Sequence, residues 1–243
     1  MSLYIGPSFS SNWVKVSSKR HFSPSWGLLE SFFSFLPSGK ISYYGDFEGI
    51  ESHTNESTVN YRELPSIGLF SSGTSNASTK LILYTEKNIE SSNHGVMSFF
   101  KGLDVKYIYC YPQPYHIFGL ALGYYLSIEN SFELIFQNNK YSSSSHEKWH
   151  DLVKKSGINV LTLGTPTHFK DLYSYYSLNK ETPPSSLTAI IGGASVSVDL
   201  WCMINKKLRI TNPSIGYGCS EASPGVTHLS PGKKPEQNGN LGN

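Results

Sequence analysis

Cysteine is scarce in this sequence of 243 residues, and the three that occur, Cys110, Cys202 and Cys219, lie far apart. An odd number of widely spaced cysteines predicts neither a disulfide framework nor a cysteine zinc site. Long hydrophobic runs are also missing, because glycines interrupt the longest apolar stretch, residues 117–128, which is too short to span a bilayer. The first residues lack the basic segment and apolar core of a secretory signal, so a cytoplasmic protein without a membrane span is expected.

An excess of one charge is absent as well, since 20 basic and 18 acidic residues leave a formal net charge of +2. The basic residues are scattered along the chain, so nucleic acid is not expected as a partner. Apolar residues make up 38% of the chain and the mean hydropathy is −0.28, which is typical of a water-soluble folded domain. The chain is long enough and apolar enough to bury the core of an enzyme-sized domain.

Residues 1–65 carry few readable patterns. The exception is the apolar run at residues 26–36, which predicts a short helix that Pro37 ends. Farther along the chain, residues 142–145 are all serine and predict a solvated loop without chemistry. Neither stretch points to a function.

Beyond residue 80, short runs of β-branched or aromatic residues alternate with longer amphipathic stretches. The predicted strands cover residues 80–84, 106–111, 132–136, 159–163, 187–191 and 208–211. The predicted helices cover residues 86–100, 118–127, 145–155, a stretch that opens at Thr165-Pro166, and residues 198–206. Threonine before proline is a good helix start, because the hydroxyl caps the helix and proline suits its first position. Repeated strand-then-helix units predict an α/β fold with a mainly parallel sheet and helices on both faces.

Ligands of such folds bind beyond the carboxyl ends of the strands, in loops that carry glycine and hydroxyl residues. The loop at residues 71–80 has this composition and contains Ser72, Gly73, Thr74 and Lys80. Its backbone N–H groups, hydroxyls and cation can hold phosphate oxygens. It does not match the P-loop pattern, because no second glycine precedes Lys80 and a strand follows. A polar surface loop is the alternative interpretation.

Two further segments carry candidate residues at predicted strand ends. His116 precedes an apolar helix, where it can border a substrate pocket or serve as a packed or capping histidine. Gly192, Gly193 and Ala194 follow a strand, where small residues let a ligand approach the backbone or simply form a tight turn. Both pairs of alternatives stay open at the level of composition.

The segment at residues 216–223 carries the most specific combination of side chains. Tyr217 can cover a purine face, and Gly218 permits a close turn. The Ser220 hydroxyl can bond a phosphate oxygen, and the Glu221 carboxylate can hold Mg²⁺. A single glutamate in a loop is usually solvated, so Glu221 gains meaning only from its neighbours.

Taken together, five segments in order resemble the motifs of the adenylate-forming (AMP-binding) acyl or aryl acid–CoA ligase superfamily. The loop at residues 71–80 is similar to (S/T)-S-G-T-T-G-x-P-K, with one residue inserted and Thr79 in place of proline. The other resemblances are residues 111–120 to P-x-x-H-x-x-G, residues 160–167 to V-T-x-x-x-x-V-P-T, residues 190–195 to G-G-A-P-L, and residues 216–223 to Y-G-x-T-E. Ser220 replaces the threonine of the last motif and keeps its hydroxyl.

The resemblance implies ATP-dependent activation of a small carboxylic acid to an acyl-adenylate, with transfer to CoA or a carrier thiol. ATP or AMP, Mg²⁺ and CoA are the implied cofactors, and 2-succinylbenzoate, aryl and fatty acids are not separated. The implied roles are phosphate binding by Ser72, Gly73, Thr74 and Lys80, adenine binding by Gly192, Gly193, Ala194, Tyr217 and Gly218, α-phosphate binding by Ser220, Mg²⁺ binding by Glu221, and an acyl-pocket contact by His116. The implied catalytic residues are Lys80, His116, Ser220 and Glu221.

The resemblance also predicts how the chain is organised. A shortened N-terminal region would cover residues 1–65, and the AMP-binding core would cover residues 66–243. The family's C-terminal lobe has no counterpart after Glu221, so low or no activity is expected unless such a lobe or a partner chain completes the site. The alternative is a non-catalytic nucleotide-binding or partner-binding module that kept the fold.

Overall fold

The computed structural model describes residues 2–5, 12–17, 32–35, 41–43, 67–71, 80–112, 116–136, 143–156 and 158–239. The first five of these ranges are described by their backbone alone. The chain divides into two compact units, Met1–Ile89 and Glu90–Asn243. The domain boundary expected near residue 65 stays a prediction.

The first unit holds strands that pair mainly with their neighbours along the chain. These strands are β1 (Ser2–Ile5), β2 (Asn12–Ser17), β3 (Phe32–Phe35), β4 (Ile41–Tyr43), β5 (Ile67–Ser71) and β6 (Lys80–Tyr84). They form an antiparallel sheet in the order β4-β3-β2-β1-β5-β6. Pairing of β1 with β5 is the one long-range step among these described strands.

Two sequence predictions are wrong in this unit. The helix predicted at residues 26–36 is wrong over Phe32–Phe35, which is the strand β3 between β2 and β4, while residues 26–31 and 36 lie outside the described residues. Phenylalanine favours strands, and pairing on both sides satisfies the backbone. The strand Lys80–Tyr84 is present, but it pairs antiparallel with β5 and does not join the parallel sheet. Strands that are consecutive along the chain commonly pair in this way.

The second unit contains the mainly parallel sheet that the sequence predicts. Its strands are β7 (Tyr107–Cys110), β8 (Glu133–Phe136), β9 (Val160–Gly164), β10 (Ser186–Ile191), β11 (Ile210–Gly218) and β12 (Gly225–His228). Their order is β12-β11-β10-β9-β7-β8, and every neighbouring pair is parallel except β11 with β12. The strand predicted at residues 208–211 begins later and runs to Gly218, because β10 and β12 pair with it along its length.

The helices are α1 (Glu86–Phe99), α2 (Leu126–Asn130), α3 (Ser144–Ser156), α4 (Pro166–Asn179) and α5 (Val198–Lys206). A π-helix, Phe118–Tyr125, precedes α2 where an ordinary helix was expected, and the Leu126 N–H donates to the Ala121 carbonyl five residues earlier. The start of α4 is confirmed, since Thr165 is its N-cap and Pro166 its first residue. Within the described part of the chain, no helix is both long and apolar enough to cross a bilayer.

Alternate residues of the parallel strands point into two separate cores, as the period of a strand requires. One core, which we call the aromatic face, joins Tyr109 of β7, Val160 of β9 and Ile191 of β10 to α3, α4 and α5. The other core, which we call the aliphatic face, joins the intervening strand residues to the π-helix, to α2 and to two residues at or just beyond the end of α1, Val96 and Phe100. The strand residues of this face are Ile108, Cys110, Leu161, Leu163 and Ile190. Helices therefore cover both faces of the sheet.

Candidate functional site

Four neighbouring strands of the second sheet, β7, β9, β10 and β11, run parallel and end at the same edge, which we call the carboxyl edge. His116 follows β7, Gly192–Ala194 follow β10, and Tyr217–Glu221 comprise the last two residues of β11 and the turn after it. The carboxyl ends of parallel strands are where ligands bind in folds of this kind. The second unit thus brings these predicted site residues to one edge of one sheet.

The two glycines of the turn at Gly192–Ala194 suit its tight surroundings and its backbone. A Cβ on Gly192 would lie 3.2 Å from the Gly216 carbonyl oxygen and 3.4 Å from the Phe118 ring, so β11 and the π-helix leave little room for a side chain. The Gly192 N–H donates to the Gly164 carbonyl at 3.0 Å. Gly193 has φ +80°, a conformation that favours glycine. Gly193 and Ala194 are exposed, so the turn offers bare backbone to the solvent at the carboxyl edge.

The segment at the end of β11 folds back sharply on itself. A Cβ on Gly218 would overlap the Pro224 carbonyl oxygen, at 1.7 Å, so only glycine fits there. The Cys219 N–H donates to the same carbonyl at 3.0 Å, and Ser220–Ala222 form a single 3-10 turn. The turn holds Tyr217 with 47% of its surface exposed, which leaves the aromatic ring accessible to a ligand.

Two polar residues of this turn are the candidates for phosphate and cation binding. Ser220 is half-buried and Glu221 is exposed. Among the described residues, no group of three or more metal-ligating side chains occurs. Mg²⁺ commonly uses one or two carboxylates together with substrate phosphates rather than a cage of protein ligands. A single accessible carboxylate at Glu221 fits that pattern.

His116 has two features that the sequence left as alternatives. Its Nδ1 accepts the Phe118 N–H at 3.2 Å, so it caps the π-helix, as one alternative proposed. The residue is also exposed at the carboxyl edge, as the other alternative requires. Surrounding protein atoms lower the pKa of His116 below its ordinary value of 6.5 by desolvation. A neutral ring whose Nδ1 accepts carries its proton on Nε2.

The remaining predicted site residues lie in the first unit. Ser72, Gly73 and Thr74 fall outside the described residues. Lys80 is the first residue of β6, where its backbone is paired with Ser71, but its side chain is likewise outside the described part. The role of these residues in phosphate binding stays a prediction.

The carboxyl edge also holds a cluster of rings that sequence reasoning missed. The Tyr111 hydroxyl and His146 Nδ1 are 3.0 Å apart, and the Tyr111 ring stacks on His168 with centroids 5.1 Å apart and planes 14° apart. Burial lowers the pKa of His146 and brings the pKa of His168 to about 4, with nearby Asp171 opposing both shifts. Both histidines are therefore neutral at neutral pH.

The serine run explains why this cluster was missed. It was interpreted as a solvated loop, yet Ser145 and His146 are buried near the start of α3. The Tyr109 hydroxyl donates to the Ser145 carbonyl. The available signal was a histidine three residues after the capping threonine of the Thr-Pro helix start. That position normally holds the side chain that pairs with a capping threonine.

The family model described as AMP-binding enzyme matches residues 42–242, so the chain belongs to the AMP-binding enzyme family. This match confirms the resemblance inferred from the motifs. Among curated proteins, none matches the chain.

Three solved structures with the same fold are complexes with an adenylate, AMP or ATP. McyG A-PCP complexed with phenylalanyl-adenylate is 17% identical with a TM-score of 0.61, over 79% of this chain and 36% of that one. O-succinylbenzoate coenzyme A synthetase from Bacillus subtilis in complex with AMP is 16% identical with a TM-score of 0.57, over 75% and 35%. ATP-bound MatB from Rhodopseudomonas palustris is 17% identical with a TM-score of 0.57, over 80% and 36%. The chain spans about a third of the length of these structures.

Proposed function

We propose that the second unit binds the adenylate part of ATP and of an acyl-adenylate at the carboxyl edge. The observation that carries this proposal is the meeting of two segments at adjacent strand ends. The bare turn at Gly192–Ala194 approaches the backbone of Gly216, and the exposed ring of Tyr217 follows directly. A flat purine needs this combination of an open backbone and an accessible aromatic face.

The proposed reaction activates a carboxylic acid. A carboxylate oxygen of the substrate attacks the α-phosphorus of ATP, the bond from that phosphorus to the bridging oxygen breaks, and pyrophosphate leaves with the bonding electrons. A thiol, of CoA or of a carrier, then attacks the acyl carbonyl and releases AMP. The enzyme contributes position and charge stabilisation rather than a covalent nucleophile.

Each residue of the carboxyl edge has a proposed part in this reaction. The Ser220 hydroxyl donates to an α-phosphate oxygen, and neutral His116 borders the acyl group without adding charge. Glu221 would hold Mg²⁺, which would neutralise part of the phosphate charge when bound. The AMP-binding family and the nucleotides named in the similar structures support an adenine nucleotide as ligand. The acid is proposed only as a class.

Calorimetric titration with a non-hydrolysable acyl-adenylate tests the proposal. We expect Tyr217→Ala to weaken binding about tenfold or more, since stacking one base on an aromatic ring is worth about 1–3 kcal/mol. Tyr173→Ala is the matched control, because Tyr173 is an exposed tyrosine of α4. Equal affinities of the wild type and the Tyr217 variant, or no heat and no thermal shift at millimolar ligand, would contradict the proposal.

A second arm of the titration addresses Glu221. Glu221→Gln should weaken binding of ATP with Mg²⁺ more than binding without it, because an amide is a poorer ligand for a hard cation. Glu181→Gln is the control, an exposed glutamate beyond the end of α4. Pyrophosphate release with a panel of acids then distinguishes an enzyme from a module that only binds nucleotide.

A further inference from the structure

His168 contacts two segments of the carboxyl edge and, through one of them, reaches a third. We propose that His168 is a positioning residue of the nucleotide site, whose ring joins the exits of β7 and β9 through side-chain contacts and supports the Gly193 turn through Thr165. This inference deepens the proposed function and rests on it.

The first contact fixes Thr165, which directly follows β9. The Thr165 N–H donates to His168 Nδ1 at 3.0 Å, and the Thr165 hydroxyl lies 2.9 Å from the same nitrogen. An accepting Nδ1 places the proton of the neutral ring on Nε2. Glutamate or glutamine usually makes this capping contact, through a flexible side chain. A histidine makes it with a rigid ring, which also has two faces for packing.

The second contact fixes Tyr111, which directly follows β7. One face of the His168 ring stacks on the Tyr111 ring, with centroids 5.1 Å apart. Tyr111 is held on two further sides, because its N–H donates to the Leu163 carbonyl at 3.0 Å and its hydroxyl pairs with His146. Tyr111 is 2% exposed, so this position has little freedom to shift. The ring of His168 therefore adds a side-chain contact between the exits of β7 and β9, next to the backbone hydrogen bond that already joins these strands.

The third step passes from Thr165 to the Gly193 turn. The Thr165 methyl carbon lies 3.4 Å from the place where a Cβ of Gly193 would be, so Thr165 borders the turn on that side. Gly193 has φ +80°. Because glycine can adopt many other backbone conformations, contacts with neighbouring residues are needed to hold the turn in this one. A displaced Thr165 would remove the wall on that side. The Gly193 turn, which His168 reaches through Thr165, is one of the segments to which we assign the adenine.

Three substitutions separate the two functions of the ring. His168→Gln keeps an acceptor for the Thr165 N–H and loses the stack on Tyr111. His168→Phe keeps the stack and loses the acceptor, and His168→Ala loses both. The matched control is His150→Ala, since His150 Nδ1 pairs with the Tyr176 hydroxyl at 2.9 Å between α3 and α4. The control removes a histidine–tyrosine pair from the helix layer.

The experiment measures the thermal midpoint of each variant and its Kd for a non-hydrolysable acyl-adenylate. The Kd is measured at a temperature where circular dichroism shows that all variants remain folded. We expect His168→Ala to weaken binding about tenfold, because small misplacements of binding groups have large costs. His168→Gln and His168→Phe should each lose less, and His150→Ala should lower the midpoint without changing the Kd. A Kd of His168→Ala within twofold of the wild type would overturn the inference.

A ligand-free readout separates this inference from the proposed function. In amide NMR spectra, His168→Ala should shift or broaden the Gly193 resonance, and His150→Ala should leave it in place. If the wild type fails to bind the analogue, the proposed function fails, and the Gly193 resonance still decides whether His168 positions the turn. An unchanged Gly193 resonance in His168→Ala would refute the positioning role.

Discussion

The aromatic and aliphatic faces of the second sheet use alternate residues of the same strands, yet different forces hold them. On the aromatic face, buried polar atoms pair across the layers. The Trp149 indole N–H donates to the Thr162 hydroxyl at 2.9 Å, and the Trp201 indole N–H donates to the Pro213 carbonyl at 3.2 Å. On the aliphatic face, strand side chains such as Leu161 and Leu163 pack through contact alone, and the hydrogen bonds from Asn93 to the Glu129 carboxylate at 3.1 Å join α1 to α2 rather than a helix to the sheet. Hydrogen bonds are directional and dispersion is not, so the first face fixes positions and the second fills volume.

This difference matters at the carboxyl edge. The rings of Tyr109 and Tyr111 meet edge to face with centroids 5.0 Å apart, and Tyr111 then stacks on His168. The aromatic face therefore continues without a break into the rings that join the exits of β7 and β9. The aliphatic face reaches the same edge at Phe118, whose ring limits the space at Gly192. The aromatic face therefore orients the site, and the aliphatic face limits the space at the Gly192 turn.

The largest loss of stability is expected from removing a large side chain from the aromatic face. Trp149 is fully buried, so Trp149→Ala should lower the free energy of unfolding by about 3–5 kcal/mol, through lost burial and a cavity. Urea denaturation measures this change. The control is Leu178→Ala, because Leu178 is 82% exposed on α4, and it should change stability by less than about 0.5 kcal/mol. Similar losses for the two variants would contradict the packing described for this face.

Acid should act on both sides of the sheet through two histidines, the half-buried His168 and the buried His228. Burial brings the pKa of His168 and of His228 from 6.5 to about 4, so the unfolded chain binds protons that the folded chain does not. Their contribution to stability is complete above pH 6.5 and is lost as the pH falls toward 4, by about 2–3 kcal/mol for each ring. Urea denaturation between pH 7 and pH 4.5 measures this loss.

His228 sharpens the comparison, because its Nδ1 has no partner among the described residues, whereas that of His168 accepts from Thr165. His228 packs beside Phe99 of α1 with ring centroids 5.9 Å apart. His228→Phe should therefore flatten the pH dependence without lowering stability at pH 7, while His168→Phe should flatten it and lower stability. A pH dependence that is unchanged in both variants would show that neither ring is responsible.

The smallest effect concerns a single hydrogen bond. Trp149→Phe keeps most of the ring but leaves the Thr162 hydroxyl unpaired, which should cost about 1–3 kcal/mol. Adding Thr162→Val should recover part of that loss, so a double-mutant cycle should show a coupling of about 1 kcal/mol. Leu161→Met on the aliphatic face conserves volume and should cost less than about 1.5 kcal/mol. Additive effects in the cycle would mean that the aromatic face is also held by packing alone.

Much of the second unit could be predicted from the sequence because its signals are local. Strand runs and amphipathic stretches alternate, and Thr165-Pro166 marks a helix start that the structure confirms. The helix Val198–Lys206 was predicted with its observed bounds. In the first unit, the run that contains Phe32–Phe35 has no local feature that separates a helix from a strand, and only pairing with β2 and β4 decides. A local sequence pattern does not specify which distant segments pair with each other.

The residues of the candidate site divide in the same way, into those with a local sequence signal and those without one. His116, the Gly192–Ala194 turn and Tyr217–Glu221 were found as motifs, since each is a continuous segment. The contact of Tyr111 with His146 joins residues 35 apart in the chain, and no periodicity signals it. Family motifs identify the residues proposed to touch a ligand. The rings that join the exits of β7 and β9 become visible only when the strands are placed side by side.

The most direct measurement of the proposed nucleotide site is a crystal structure of this chain with a non-hydrolysable acyl-adenylate. We expect the adenine between the Gly193 turn and the Tyr217 ring, and the α-phosphate mimic within hydrogen-bond distance of the Ser220 hydroxyl. Ligand density at another place on the second unit, with the carboxyl edge empty, would contradict the assignment of the nucleotide site to this edge.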